Sequence, residues 1–164
     1  MSGERGASRF HFRPLRLTDA LSARRWRYPD PYEMYDLGLA PLLVATTLRG
    51  PISALAGVSY FAAATDDDPL AGILSLTRRE REIEIGVGLR PDLTGRGLGL
   101  PFLLDTLALA RERYHPDVFS LYVATFNRRA ITVYERAGFR PGATRPFTFH
   151  GKRYDELRMS RAAD

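Results

Sequence analysis

The chain has 164 residues, with 24 basic and 19 acidic side chains and a net charge of +5. This length corresponds to a single domain, and a composition of 45% hydrophobic and 26% charged residues is typical of a globular fold. The absence of cysteine excludes disulfides and thiolate zinc sites, and it favours a reducing, cytoplasmic location. We therefore expect no metal. Because no apolar run approaches about 18 residues, we also expect no membrane span.

The first third of the chain combines short regular segments with an aromatic cluster. We expect residues 1–8 to be a disordered terminus and residues 9–161 to form one domain. The predicted elements are a strand over Phe10–Arg13, a helix with Thr18 or Asp19 as its N-cap, an apolar helix over Leu37–Leu48 and a further turn over Ile52–Ala56. Between these two helices, the segment Trp26–Asp36 contains Pro29 and Pro31, which prevent a continuous helix.

The middle of the chain has the alternating pattern of β-strands. A hairpin is predicted from the strand Val58–Ala62, the turn Asp66–Pro69 and the returning strand Leu70–Leu76. The next strand, Arg81–Leu89, has an apolar residue at every second position, and these residues share one face: Ile83, Ile85, Val87 and Leu89. That face is predicted to pack on helices or on another layer of sheet.

A glycine-rich turn, Thr94–Gly99, follows this strand and opens a helix over Leu100–Arg113. The first N–H groups of a helix lack partners, the helix dipole favours negative charge there, and glycines let the backbone approach an anion. The turn therefore predicts a pyrophosphate cradle with Arg96 beside it. Its spacing is neither that of a Walker loop nor that of the dinucleotide fingerprint. Considered alone, such a turn is weak evidence for a ligand, and a purely structural role is favoured.

The second half of the chain predicts a strand–helix unit and two closing strands. Val118–Ala124 is strongly β-prone, Asn127 opens a helix that Gly138 ends, and Phe139–Met159 forms two strands around the turn His150–Lys152.

Two motifs in this region resemble the signatures of the GNAT superfamily, the acetyl-CoA-dependent N-acetyltransferases. The glycine turn is similar to the family's Q/R-x-x-G-x-G/A acyl-CoA signature, although Thr94 stands where the family has Gln or Arg. Residues 127–139 are similar to N-x-x-A-x-x-x-Y-E-x-x-G-F. The resemblance extends over residues 70–159 and points to a bacterial-type subgroup.

The resemblance implies a fold and a cosubstrate. The fold is an α/β, GNAT-like single domain with a mixed, mostly antiparallel sheet of about six to seven strands, flanked by about four helices, with splayed central strands. The cosubstrate is acetyl-CoA. Backbone groups of Val87 and Leu89 are implied to pair with its pantetheine arm, and the Val87 amide to hold the thioester oxygen. The two signatures supply the remaining cofactor-binding positions: Thr94, Gly95, Arg96, Gly97, Leu98, Gly99, Leu100 and Asn127.

Tyr134 is the implied catalytic acid. A tyrosine at this place in the family commonly protonates the thiolate of CoA, and a phenol of pKa about 10 suits that task. Asn127 lies seven residues earlier, a drift of only about 20° over two helical turns, so both side chains share a face. The alternatives are a core tyrosine at position 134 and a simple N-cap at position 127.

The general base and the acceptor site are less specific predictions. Glu84, with Glu82 beside it, lies on the strand face opposite Ile83 and can accept the ammonium proton directly or through water, unless the face is merely solvated. Acidic and aromatic side chains suit a cationic amine. The residues predicted to bind it are Trp26, Tyr28, Tyr32 and Glu33, with Tyr35 in the same cluster. The alternative is a loop that packs on the core through its aromatics.

The leading hypothesis is an acetyl-CoA-dependent N-acetyltransferase in which a primary amine, on a small molecule or a peptide, attacks the thioester directly in a ternary complex. Alternatives are a nonenzymatic acyl-CoA-binding regulatory module and a ribosome- or RNA-associated N-terminal acetyltransferase. The arginines are spread along the chain without a basic tail, which disfavours nucleic acid as a partner. We also allow for a homodimer.

Overall fold

The computed structural model describes residues 10–36, 57–149 and 151–164. Its strands are β1 (His11–Pro14), β2 (Val58–Thr65), β3 (Asp68–Arg79), β4 (Glu82–Leu89), β5 (Val118–Ala124), β6 (Arg140–Phe149) and β7 (Lys152–Ala162). Its α-helices are α1 (Leu17–Ala23), α2 (Gly99–Tyr114) and α3 (Arg128–Arg136), and short 3-10 helices cover Tyr32–Tyr35 and Pro91–Leu93. None of the helices in these residues is long and apolar enough to cross a membrane.

The seven strands form one sheet in the order β1-β2-β3-β4-β5-β7-β6. All neighbours are antiparallel except β4 and β5, which are parallel. The predicted mixed, mostly antiparallel α/β fold is therefore confirmed. Three of the helices that flank the sheet are described, and the predicted elements Leu37–Leu48 and Ile52–Ala56 lie outside the described residues.

The core lies between the sheet and α2. Phe102, Leu103 and Leu107 of α2 are buried against apolar residues that point from the central strands toward the helix. These strand residues are Leu74, Leu76, Ile83, Ile85, Phe119 and Leu121. Burying one such side chain stabilises the fold by roughly 1.5–3 kcal/mol. The alternation predicted for β4 is confirmed at Ile83 and Ile85, whereas Val87 and Leu89 are only half-buried.

The predicted N-cap of α1, Thr18 or Asp19, is wrong by two or three residues. The N-cap is Arg16, and Asp19 lies inside the first turn, where its carboxylate accepts a hydrogen bond from the Arg16 N–H at 2.8 Å. The same carboxylate is bound by the Arg13 guanidinium at 2.6 and 2.8 Å. Burial raises the pKa of Asp19, but these hydrogen bonds outweigh burial, and the pKa is lowered overall. The aspartate therefore ties the start of α1 to β1.

The central strands β4 and β5 separate after a short pairing. Glu82–Glu84 pair with Val118–Ser120, and neither strand pairs with the other beyond these residues. β4 continues against β3 alone, up to Leu89, and β5 continues against β7 alone, up to Ala124. The predicted splayed strands are confirmed, and they leave a wedge-shaped gap, here called the gap, between the ends of β4 and β5.

Candidate active site

The β4 wall of the gap presents backbone groups. In an antiparallel pair, successive residues alternate between facing the partner strand and facing away from it. The Arg90 N–H donates to Ala71 O of the β3 side at 2.9 Å, whereas the Leu89 carbonyl accepts from the Tyr28 hydroxyl at 2.6 Å. Leu89 therefore faces the gap, and Val87, two residues earlier in an unbroken register, does so too. The Leu89 carbonyl is already bound by Tyr28, and contact of these backbone groups with a pantetheine arm stays a prediction.

The glycine turn supplies a row of donors where β4 ends. Gly95 and Gly97 have φ of +74° and +75°, and a Cβ atom at either would meet nothing within 4 Å. None of the N–H groups from residue 95 to residue 100 donates a hydrogen bond to any described residue, and the N-cap Leu98 makes no side-chain cap. Unpartnered amides at the start of a long helix form an anion site, so these residues fit a pyrophosphate.

The two side chains of the turn behave differently. The Thr94 hydroxyl donates to Pro91 O at 2.7 Å and so closes the 3-10 helix Pro91–Leu93. Its oxygen can still accept a hydrogen bond, but its proton is committed to the loop. Arg96 is exposed and forms no ion pair with any described residue. Arg96 is thus the available cation of the cradle.

The β5 wall of the gap presents side chains. Asn127 is the N-cap of α3, because its Oδ1 accepts from the Ala130 N–H at 3.2 Å, which confirms the N-cap alternative. Its Nδ2 donates to the Tyr35 hydroxyl at 3.1 Å. The same hydroxyl accepts from the Ala124 N–H at 3.3 Å. The contact of Asn127 with a cofactor stays a prediction, with one amide hydrogen still free for it.

Tyr134 lies two turns into α3 and is half-buried against Phe139, with ring centroids 6.1 Å apart. Its hydroxyl makes no hydrogen bond with any described residue. Burial, followed by the neighbouring Tyr35, raises the pKa of Tyr134. The phenol therefore stays protonated through the neutral range and is available to give a proton.

The aromatic segment, residues 26–36, bridges the gap. Tyr28 is bound to β4 through Leu89 and Tyr35 is bound to β5 through Ala124, and the two rings meet edge to face with centroids 6.4 Å apart. Burial, and then Asp36, raises the pKa of Tyr28. Each tyrosine hydroxyl thus forms a hydrogen bond with a backbone group that would bind the neighbouring strand if β4 and β5 stayed paired.

The other predicted acceptor residues differ in exposure. Tyr32 packs on Phe126 at 6.0 Å, and the Arg129 guanidinium lies 4.2 Å from its ring centroid. Glu33 is exposed, and its carboxylate has no partner among the described residues. Trp26 is only 7% exposed, which favours the packing alternative for this residue over substrate contact.

The sheet face opposite Ile83 and Ile85 carries ion pairs that the sequence did not predict. Glu84 pairs with Arg79 at 3.2 Å, Glu82 with Arg158 at 2.8 Å, and Glu156 with Arg145 at 2.6 Å. Glu82 also accepts a hydrogen bond from Ser120. Burial raises the pKa of Glu82, but the bonds from Ser120 and Arg158 outweigh burial and lower it. Glu82 is therefore a weak base, and Glu84, at the apex of the gap, is the better placed of the two.

Residues 9–140 match the family model described as an acetyltransferase (GNAT) domain. Since this match covers most of the chain, the chain belongs to the GNAT acetyltransferase family. The resemblance of the two signatures is thereby confirmed. Members of this family use acetyl-CoA, the cosubstrate that the unpartnered amides of residues 95–100 fit.

Individual proteins are similar to this chain over different lengths. Mycothiol acetyltransferase from Clavibacter sepedonicus is 41% identical over 78 residues, which make up 47% of this chain and 25% of that protein. The chain thus matches about a quarter of the length of this curated relative. The spermidine N-acetyltransferase of Vibrio cholerae in complex with CoA and spermine has a TM-score of 0.73 at 20% identity, over 95% of this chain and 96% of that one. A dodecameric structure of that enzyme has a TM-score of 0.71 at 20% identity, over 95% of each chain. At these identities the structural likeness shows the fold alone.

Proposed function

We propose that the chain is an acetyl-CoA-dependent N-acetyltransferase that acetylates a primary amine by direct attack in a ternary complex. The observation that carries this proposal is the row of unpartnered amides, residues 95–100, at the end of a strand that has lost its neighbour. Those amides bind the pyrophosphate, with Arg96 adding positive charge. The gap-facing backbone of Val87 and Leu89 then lies beside the pantetheine arm.

The reacting groups are brought together at the gap. When bound, acetyl-CoA supplies the thioester that is attacked and the thiolate that leaves. The Val87 N–H stabilises charge that develops on the thioester oxygen. Tyr134 gives its proton to the leaving sulfur, and Glu84 receives the proton of the ammonium group, directly or through water. The chain contains no cysteine that could carry an acyl group, which supports direct attack.

The acceptor binds against the aromatic segment. Tyr28 and Tyr32 present rings to a cation and Glu33 an exposed carboxylate. The three carboxylates of the sheet face, in contrast, are already neutralised by arginines. Within the aromatic segment, Glu33 and Asp30 are exposed carboxylates without an ion pair to any described residue, so the segment offers negative charge to a cationic amine.

A thiol-release assay with acetyl-CoA and an amine panel tests the proposal. The panel comprises spermidine, spermine, free amino acids, an aminoglycoside and a peptide with a free N-terminus. Thiol release that depends on an added amine is the expected result. Binding of CoA by calorimetry without transfer to any amine would instead indicate a nonenzymatic acyl-CoA-binding module. Salt-dependent RNA binding would favour a nucleic-acid-associated role.

A further inference from the structure

One arginine, Arg90, joins the end of β4 to the start of β3. Its N–H donates to Ala71 O at 2.9 Å. Through Nη1, its guanidinium donates to Asp68 Oδ1 at 3.1 Å and to Leu70 O at 3.2 Å. Nη2 lies 2.7 Å from Asp68 Oδ2. Asp68 is itself held in place, because its Oδ1 also accepts from the Leu70 N–H at 3.0 Å. Arg90 is therefore bound to β3 through its main chain and its side chain.

The same guanidinium also binds Asp92, in the short 3-10 helix that leads to the glycine turn. Nε donates to Asp92 Oδ1 at 2.6 Å and Nη2 to Oδ2 at 3.0 Å, which makes a bidentate pair. Beyond it, the Thr94 N–H and hydroxyl both donate to Pro91 O, at 3.2 and 2.7 Å. A continuous series of contacts thus joins β3 to Thr94, the residue directly before Gly95.

No such contacts fix the glycine turn itself. Gly95 and Gly97 have no side chains, and both adopt a positive φ. The amides of residues 95–100 donate to no described residue. The position of the turn is therefore set from its two ends, by α2 on one side and by the contacts of Arg90 on the other. A loop that is already held in place loses less conformational freedom when it binds a ligand.

The cluster of Asp68, Arg90 and Asp92, here called the Arg90 clamp, is not itself an anion site. Each guanidinium nitrogen faces a carboxylate, and two carboxylates surround one guanidinium. The cluster therefore has a net negative charge, which disfavours a phosphate nearby. The clamp can favour CoA binding only through the geometry of the turn, in contrast to the exposed Arg96.

We propose that the Arg90 clamp positions the glycine turn for the pyrophosphate of CoA, with Arg90 as a positioning residue. This inference rests on the proposed function. Arg90 bonds to β3 and to the 3-10 helix at once, and so holds the unpartnered amides in one arrangement before the ligand binds. Lysine cannot replace it, because an ammonium group is a point charge and does not bind two carboxylates in the planar, bidentate manner of a guanidinium.

Calorimetry with CoA on two variants tests the inference. Arg90→Lys keeps the charge but loses the bidentate geometry, and the Kd of CoA is expected to rise about tenfold. Asp68→Asn keeps the side-chain volume and the acceptor for the Leu70 N–H, but it loses the negative oxygen that faces Nη2. Removal of a negative charge would by attraction alone tighten the binding of an anion. The clamp instead predicts a Kd about three- to tenfold higher, so the direction of the change decides between the two accounts.

Either variant, if folded and binding CoA as tightly as the wild type or more tightly, would overturn the inference. If melting curves show Arg90→Lys to be unfolded, the nearly isosteric Asp68→Asn decides alone. The double variant is expected to bind CoA no more weakly than Arg90→Lys, because both changes break the same contact.

The matched controls are Arg81→Lys and Asp117→Asn. This pair has the same two residue types at the opposite end of β4, with Arg81 Nη2 2.6 Å from Asp117 Oδ1. Since the pair is exposed and far along the strand from the glycine turn, the Kd of CoA is expected to change by less than about twofold in both controls. An equal rise in the controls and in the clamp variants would show a general loss of structure and overturn the inference.

Steady-state kinetics give the second measurement. In the clamp variants the KM for acetyl-CoA should rise with the Kd, while kcat at saturating acetyl-CoA and amine stays within about twofold of the wild type. A fall in kcat without a rise in KM would overturn the inference. A wild-type protein that binds CoA but acetylates no amine refutes the proposed function, and calorimetry still tests the clamp. A wild-type protein that does not bind CoA refutes both.

Discussion

The two walls of the gap are built from different chemistry. The β4 wall and the glycine turn offer main-chain groups: the edge of β4 at Val87 and Leu89, and the amides of residues 95–100. The β5 wall offers the side chains of Tyr35, Asn127 and Tyr134, which come from distant places in the chain. We therefore expect the β4 wall to tolerate side-chain substitutions unless they add bulk or charge. We expect the β5 wall to lose its function when a single side-chain oxygen is removed.

The largest expected effect on turnover comes from removing the Tyr134 hydroxyl, which is the proposed proton donor on the β5 wall. Tyr134→Phe is expected to lower kcat about 10²–10⁴-fold, the usual contribution of a placed general acid. The free energy of unfolding should fall by less than about 1 kcal/mol, because that hydroxyl has no hydrogen-bond partner among the described residues. Steady-state acetylation with melting curves measures both quantities.

The dissociation constant of CoA is expected to stay the same in this variant, since the ring remains. Because the pKa of Tyr134 is raised, the wild-type rate should not fall through ionisation of this phenol below about pH 10. Normal turnover in Tyr134→Phe would assign the residue to the core and leave a bound water as the proton donor.

The second prediction tests the backbone wall alone, through the affinity for CoA. Gly97→Glu places bulk and negative charge where the pyrophosphate is expected, so the dissociation constant of CoA should rise about 100-fold, the equivalent of losing one charge-assisted contact or more. Gly151→Glu is the matched control, because Gly151 also has positive φ, +73°, and a Cβ atom added there would meet nothing within 4 Å. It lies in the turn between β6 and β7. Calorimetry compares the two variants.

Both glutamate variants carry the same strain of a side chain at positive φ, so their stabilities should fall alike. Unchanged CoA affinity in folded Gly97→Glu protein would show that the cofactor does not lie on this turn, and the contrast between the two walls would then be lost.

A third effect tests the apex of the gap, where the walls meet. Glu84→Gln removes the carboxylate that is proposed to accept the ammonium proton, and kcat/KM at neutral pH should fall about tenfold, less than for an irreplaceable base because water can substitute. The loss should shrink as the pH approaches the amine pKa, about 10, where the acceptor is already neutral. A pH profile of kcat/KM measures this recovery.

Arg79→Gln serves as the control for Glu84→Gln, since it removes the ion-pair partner at 3.2 Å but keeps the carboxylate. The control is expected to retain activity. A loss in Glu84→Gln that is the same at every pH would assign the residue to a solvated face that merely supports the sheet.

The smallest effect concerns the aromatic segment. Glu33→Gln is expected to raise KM for the amine about two- to fivefold, the effect of a single exposed charge, with no change in kcat or in CoA affinity. Glu112→Gln, an exposed residue on α2, makes the same charge change elsewhere. Initial rates across amine concentrations compare the two, and an equal shift in both would mean that only net charge matters.

The elements next to the site were predicted well where their signals are local. Val118–Ala124 was predicted with the bounds that the strand has, since most of its residues are β-branched or aromatic: Val118, Phe119, Tyr122 and Val123. Asn127 and Gly138 were recognised as the ends of α3, and Gly138 has the φ of +87° that this position needs. The start of α1 was not, because Asp19 is the third residue of the helix and Arg16 is its N-cap. The Asp19 carboxylate bonds back to the Arg16 N–H and across to the Arg13 guanidinium.

The sequence by itself was enough to predict β4 with the glycine turn that follows it, the N-cap of α3, and Tyr134 as the candidate acid. A strand, a glycine turn and a helix start are each set by a few neighbouring residues. Only the tertiary structure decided which tyrosines of the aromatic segment reach the gap. The bond between Tyr35 and Asn127 joins residues 92 positions apart, and the one between Arg158 and Glu82 joins residues 76 positions apart. Contacts at such separations depend on how the sheet brings strands together, and no local pattern encodes them.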